Sequence, residues 1–300
     1  MLNQAAPTEP GFSAPSVGPG AGSSTACRAA VLGKPIGHSL SPVIHNAGFA
    51  AAGLTGWSYV AIECAEAELA ALVEGLGREW AGLSLTMPLK EEALRLAAAV
   101  SPVARATGAA NTLVRRDDGG WFADNTDVVG MVRVLRAAGL GGSGVPSVTV
   151  LGGGGTARAA LAAAVQLGAV EVAVVTRRAE AREELVPAAE ALGVKLAGAE
   201  WAAAAGLFNA DAVISTVPKG AADHLAGQVT WRPGTVLFDA IYDPWPTPLA
   251  AAAAVAGVPV VSGLDLLLAQ ALSQFEQFTG VAPAPEPAMR AALFEAASRR

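Results

Sequence analysis

Two serines, Ser39 and Ser41, stand two residues apart in Gly33-Lys34-Pro35-Ile36-Gly37-His38-Ser39-Leu40-Ser41-Pro42-Val43-Ile44-His45-Asn46. The apolar run from Ala29 to Leu32 before them reads as a strand. Two glycines and two prolines then give a stiff loop. Ser41 ahead of Pro42 predicts an N-cap followed by proline at the first helical position. Hydroxyls beside helix N-terminal N–H groups make a site for a carboxylate or a phosphate.

A second set of residues points to proton chemistry. Lys90 closes Leu83-Ser84-Leu85-Thr86-Met87-Pro88-Leu89-Lys90, at the predicted start of a helix over 90–99. The macrodipole disfavours a cation there, so the position makes sense if Lys90 meets a carboxylate or a carbonyl. A third set would hold a dinucleotide. Gly152-Gly153-Gly154-Gly155-Thr156-Ala157 fits G-x-G-x-x-G/A, follows the predicted strand Val148–Leu151 and opens an alanine-rich helix over 156–167. Glycines let the backbone approach a pyrophosphate, and the helix N-terminus favours its charge. The next strand ends in Val175-Thr176-Arg177-Arg178, with no acidic residue before Glu180. An NAD site would place a carboxylate here for the ribose 2′-hydroxyl, whereas two arginines suit the 2′-phosphate of NADP.

These residues need rigid elements to hold them. Short apolar strands are predicted at 57–62, 82–85, 112–115, 121–123, 172–176, 212–215, 236–239 and 258–261. Helical patterns at 65–76, 90–99 and 126–138 lie among them. Asp117-Asp118-Gly119-Gly120 reads as a hairpin turn. Strands spaced by helices predict an α/β fold with a parallel sheet covered on both faces. At 300 residues the chain has room for about two domains. Alanine inflates its 52% hydrophobic content and aromatics are only 5%, so the core is predicted to be alanine-rich helices on Val/Leu strands. A net charge of −6 without a long basic run argues against nucleic acid as a partner. No segment reads as membrane-spanning, because prolines and Gly257 interrupt the long uncharged stretch after Asp243. Cys27 and Cys64 are too few for a disulfide framework, which points to a reducing compartment and a cytoplasmic protein. Residues 1–26, rich in Pro, Gly, Ser and Ala, read as a disordered tail and not as a secretory signal.

The serine segment resembles the N-terminal signature of the shikimate dehydrogenase family, Gly-x-Pro-Ile-x-His-Ser-x-Ser-Pro-x-x-His-Asn. Further motifs follow in the family's order. Thr86, Pro88 and Lys90 match its Asn-Val-Thr-x-Pro-x-Lys, with Ser84 and Leu85 in place of Asn and Val. Gly108-Ala109-Ala110-Asn111-Thr112 resembles Gly-Ala-x-Asn-Thr. Thr176-Arg177-Arg178 stands at the family's Asn-Arg-Thr. Asp239-Ala240-Ile241-Tyr242-Asp243-Pro244 resembles Asp-x-x-Tyr-x-Pro. Gly263 and Gln270 keep the spacing of Gly-x-x-Met-Leu-x-x-Gln, with Leu266 where Met is usual.

The resemblance covers about residues 29–280. It implies two α/β domains: a substrate domain over 27–126 with 264–300, and an inserted doubly wound Rossmann domain over 127–263 that binds NADP. It implies reversible hydride transfer between NADP(H) and 3-dehydroshikimate or shikimate. Lys90 and Asp127 would be catalytic, with Asp124 the rival acid. Ser39 and Ser41 would hold the substrate carboxylate, and Thr86, Asn111, Tyr242 and Gln270 would meet the rest of the substrate. Gly152, Gly153, Gly154, Gly155, Thr156, Ala157, Thr176, Arg177, Arg178, Ala240 and Gly263 would bind the cofactor. No metal ligands are assigned, His38 and His45 are given structural roles, and a homodimer is possible. Two other readings stay open at this point: a quinate/shikimate dehydrogenase with broader cofactor or substrate use, and a non-catalytic NADP-binding regulator.

Overall fold

The computed structural model describes residues 26–141 and 144–300. All of the expected N-terminal tail except Ala26 lies outside the described residues. The first part of the chain runs β1 (Cys27–Gly33), α1 (Ser41–Ala51), β2 (Trp57–Glu63), α2 (Glu66–Glu74), β3 (Trp80–Leu85), α3 (Glu92–Leu96), β4 (Ala99–Val100), α4 (Pro102–Thr107), β5 (Thr112–Arg115) and β6 (Trp121–Asp124). Then come α5 (Thr126–Ala137), β7 (Val148–Leu151), α6 (Gly155–Gln166), β8 (Glu171–Thr176), α7 (Ala179–Glu183), α8 (Val186–Leu192), β9 (Lys195–Glu200) and β10 (Ala212–Ser215). The chain ends with β11 (Val236–Asp239), α9 (Pro248–Val255), β12 (Val260–Ser262), α10 (Gly263–Thr279) and α11 (Glu286–Ala297).

Two six-stranded sheets result, ordered β2-β1-β3-β5-β6-β4 and β12-β11-β10-β7-β8-β9. The second is parallel throughout, with strand order reversing between β7 and β10. The first departs from the parallel expectation. The Asp117–Gly120 turn returns β6 antiparallel to β5, and β5 pairs antiparallel with β3, so the sheet is mixed. So short a return cannot make a parallel pair, which needs a crossover of about a dozen residues or more.

Both faces of both sheets are covered. On the second sheet α6 buries Ala157, Ala159, Ala160 and Ala163 against Val148, Val150, Val172 and Ile214. Alanine lets this helix sit close to the strands. On the opposite face Phe208, Leu249 and Leu225 pack on Leu151, Val175 and Leu237. On the first sheet one face carries α1, α10 and α11 through Ile44, Phe49, Phe275, Phe278 and Met289. The other face buries Leu69, Leu83, Leu113, Trp80 and Trp121. The chain crosses from the first sheet to the second through α5 and returns through α10, and these two helices pack on each other. Among the described residues no helix is long and apolar enough to cross a membrane, and no group of His, Cys, Asp or Glu could hold a metal ion.

Candidate active site

A cleft of about 530 Å³ opens at the carboxyl ends of β7, β8 and β10. That is where a doubly wound sheet takes its ligand, outside the strand ends at the reversal of strand order. β7 ends at Leu151, and Gly152 turns the chain with φ +113°, a conformation that a side chain disfavours. A Cβ at Gly152 would strike Thr216 Oγ1, and one at Gly153 would strike the Ala181 carbonyl. The backbone is therefore bare where Gly152–Thr156 lines the cleft. α6 begins at Gly155 with no acidic residue in its first turn, so no carboxylate of the helix start itself competes for its N–H groups. Arg177 and Arg178 stand exposed at the end of β8 and line the same cleft. Thr176 is buried, and its hydroxyl donates to the Arg178 carbonyl at 2.8 Å. A bare loop at a helix N-terminus with two arginines beyond it fits a dinucleotide that carries an additional phosphate. Ala157 is fully buried and serves helix–sheet packing instead of lining the cleft.

A second cleft, of about 380 Å³, adjoins the first, and Thr86, Lys90 and Thr156 line both. Ser39, Ser41, Asn111, Asp127, Ala240, Tyr242, Gly263 and Gln270 also line the second cleft. Residues from the first sheet, from α5 and from α10 thus converge there. Gly263 is held by close approach, since a Cβ would overlap the Ala240 carbonyl. Asp239, at the end of β11, accepts hydrogen bonds from Thr247 Oγ1 and Ile241 N, fixing the loop that carries Ala240 and Tyr242. Burial pushes its carboxyl up, against those same hydrogen bonds.

At the junction of the clefts Lys90 Nζ donates to Asp127 Oδ2 at 2.6 Å. Both side chains are largely buried, at 20% and 11% exposure. Asp127 Oδ1 accepts from Asn111 Nδ2 at 2.9 Å. Asn111 Oδ1 is engaged by Thr126 N, Thr126 Oγ1 and Thr112 Oγ1. Gln274 donates to Thr112 Oγ1 and accepts from Ser84, which in turn accepts from Tyr59. A buried chain of hydrogen bonds therefore runs from Tyr59 to Lys90, with most members on different elements.

The local setting of some residues differs from expectation. Ser41 does not cap α1. Leu40 already has helical dihedrals and occupies the cap position, while Ser39 Oγ accepts from Ser41 N at 3.3 Å. Lys90 lies in a turn before α3, which spans only Glu92–Leu96, so it stands outside the helix, and its charge is met by Asp127. Asp124 accepts from Ser101 and Gln277 and is bound into the fold. His38 is exposed on the second cleft, whereas His45 is buried and stacked on Tyr59 with ring centroids 4.2 Å apart. Sequence reasoning passed over Gln274 and the segment Thr216–Pro218, which line the two clefts. Gln274 sits one helical turn after Gln270, and Thr216 follows a strand of the doubly wound sheet. Both placements were available signals.

The fold and its strand-end cleft define a two-domain dinucleotide-binding α/β protein. The model of the shikimate dehydrogenase substrate binding domain matches residues 31–113, and that of the shikimate 5′-dehydrogenase C-terminal domain matches residues 263–294. The shikimate dehydrogenase (NADP(+)) of Caulobacter vibrioides is 40% identical over 263 residues, 85% of this chain and 90% of its own. The crystal structure of Mycobacterium tuberculosis shikimate dehydrogenase superposes with TM-score 0.81 at 44% identity, covering 90% of this chain and 99% of that one. Shikimate 5-dehydrogenase from Thermus thermophilus, in complex with NADP(H) and shikimate, gives TM-score 0.76 at 29% identity over 90% of this chain and 99% of its own. This chain belongs to the shikimate dehydrogenase family.

Proposed function

We propose that the protein catalyses reversible reduction of 3-dehydroshikimate to shikimate with NADP(H). The observation that carries this reading is Lys90 hydrogen-bonded to Asp127 where the two clefts meet. Residues 127–263 form the cofactor-binding unit on this reading, and 27–126 with 264–300 the substrate-binding unit. Gly152–Thr156 and the first turn of α6 hold the pyrophosphate, and Arg177 and Arg178 the 2′-phosphate. Ala240 and Gly263 border the nicotinamide. When bound, that ring supplies or accepts the hydride.

Ser39 and Ser41 hold the substrate carboxylate by hydrogen bonds. Thr86, Asn111 and Gln270 orient the ring hydroxyls, with Tyr242 closing the pocket. Lys90 gives a proton to the carbonyl oxygen in reduction and takes it back in oxidation. Asp127 keeps the ammonium aimed, and the pair favours the negative charge that develops on that oxygen. Asn111 holds Asp127 by its amide N–H, and each carboxylate oxygen keeps a second lone pair with which to accept from a substrate hydroxyl. The two cysteines support a cytoplasmic location, and a homodimer is tested by light scattering at assay concentration.

The test is oxidation of NADPH by 3-dehydroshikimate, measured beside NADH and beside dehydroquinate. Turnover is expected with NADPH and 3-dehydroshikimate at a kcat/KM at least about tenfold above the other combinations. Equal rates with NADH or dehydroquinate would instead assign a broader quinate/shikimate dehydrogenase. Absence of turnover with every pair would assign a binding protein.

A further inference from the structure

Arg158 links the glycine loop to the segment that carries Lys90. It stands on α6 immediately after Ala157, and its Nη1 lies 2.7 Å from Glu91 Oε1 and 3.5 Å from the Gly108 carbonyl. Glu91 follows Lys90 in the chain. Gly108 ends α4 with φ +63°. Ala110 N donates to the Lys90 carbonyl at 2.7 Å, so the two segments that Arg158 touches are bonded to each other at Lys90 itself. From the same helix start, Gly155 closes on Lys90, since a Cβ there would stand 3.9 Å from Lys90 Cδ. The Arg158 side chain is only 16% exposed, and among the described residues its buried Nε has no hydrogen-bond partner. The guanidinium is thus committed to one direction, toward the backbone around Lys90.

We propose that Arg158 is a positioning residue that fixes Lys90 relative to the bound dinucleotide; this rests on the reading of Lys90 as the proton donor. The ion pair itself adds little stability, because Glu91 is 60% exposed and such pairs are screened by water. Its consequence lies in geometry. A displacement of about 1 Å at a reacting group can cost about 10²-fold in rate. A lysine at 158 would keep the charge but put a compact ammonium on a flexible stem where the rigid guanidinium now brings Nη1 to both Glu91 and Gly108.

The test compares R158Q, R158K, E91Q and the double variant E91Q/R158Q. R158Q is expected to lower kcat for shikimate oxidation at least about fivefold. Its dissociation constant for NADPH, read by fluorescence titration, is expected to stay within about twofold of wild type, because the residue does not face the phosphates. Amide exchange over 86–96 and 106–112 is expected to quicken in the ligand-free R158Q protein. E91Q moves kcat in the same direction, the double variant is no slower than R158Q alone, and R158K recovers only part of the loss. Wild-type kcat or unchanged amide exchange in R158Q overturns the inference. NADPH binding about tenfold weaker in R158Q, with E91Q silent, also overturns it and makes Arg158 a cofactor ligand. Wild-type protein without shikimate turnover overturns the assignment of the reaction instead, and the exchange measurement still decides whether Arg158 holds this segment.

Discussion

Asp127 Oδ2 receives Lys90 Nζ at 2.6 Å while the other carboxylate oxygen receives Asn111. The lysine comes from a turn after β3 and the aspartate from the first turn of α5, so the pair is made only when both parts of the fold are in place. A partly buried ammonium with a single strong partner has one preferred direction, which is what a proton donor needs.

Lys90→Ala is expected to lower kcat by about 10²–10⁴-fold while the protein folds as wild type. KM for shikimate should change far less, because the interaction strengthens in the transition state. Steady-state kinetics with circular dichroism on the same sample checks this. A folded variant within about threefold of wild-type kcat would remove Lys90 from the chemistry.

The paired serines make a separate prediction. Ser39 and Ser41 line the second cleft, and Ser41 is almost fully buried. Hydrogen bonds to a charged carboxylate are worth about 1.5–3 kcal/mol each. Changing both to alanine should therefore raise KM for shikimate at least about tenfold and leave KM for NADPH near its starting value. A parallel rise in both constants would show loss of the loop instead of loss of a carboxylate contact.

His45 predicts a pH effect on stability. Burial holds its imidazole down to about 3, against a smaller opposing pull from Gln274. Between about pH 6.5 and 3 the unfolded chain binds a proton at this position and the folded one does not. Stability therefore falls as pH falls through that window, by about 1.4 kcal/mol per pH unit from this group. His45→Phe, which can keep the stack on Tyr59, should flatten the slope between pH 6 and 4. Urea unfolding of both proteins at several pH values reads the difference, and identical slopes would rule His45 out.

Sequence carried the glycine loop almost whole, because strand, turn and helix start are contiguous and each leaves a local mark. It carried Asp127 only through resemblance, since nothing local ties that residue to Lys90. The strand β9, Lys-Leu-Ala-Gly-Ala-Glu, lacks β-branched and aromatic residues and leaves no mark in the sequence, and the two-residue β4 is too short to leave one. Their pairing comes from neighbouring strands and not from their own propensity. Ser41 misled for a similar reason: the backbone of Leu40 decides where α1 starts, and serine preference for caps is outweighed by the tight loop before it. The antiparallel pairing of β5 with β6 follows from the hairpin turn, a local signal, whereas that of β5 with β3 joins strands distant in sequence and leaves no local mark.

Cofactor choice should rest on Arg177 and Arg178. Both are exposed at the end of β8, on the rim of the first cleft, and no carboxylate follows the strand before Glu180. Glu184 also lines the cleft, so removing the arginines leaves a local excess of negative charge. A 2′-phosphate then loses its charge-assisted hydrogen bonds and meets repulsion, whereas NADH, which never used the arginines, loses little. Replacing both by alanine should raise KM for NADPH at least about tenfold, equivalent to roughly 1.4 kcal/mol. KM for NADH should stay within a few-fold of its starting value. Paired titrations of the two cofactors at fixed substrate decide the matter. A variant that kept its NADPH preference would place the phosphate away from this strand end, and would do so without disturbing the assignment of Lys90 and Asp127, which pair with each other where the two clefts adjoin.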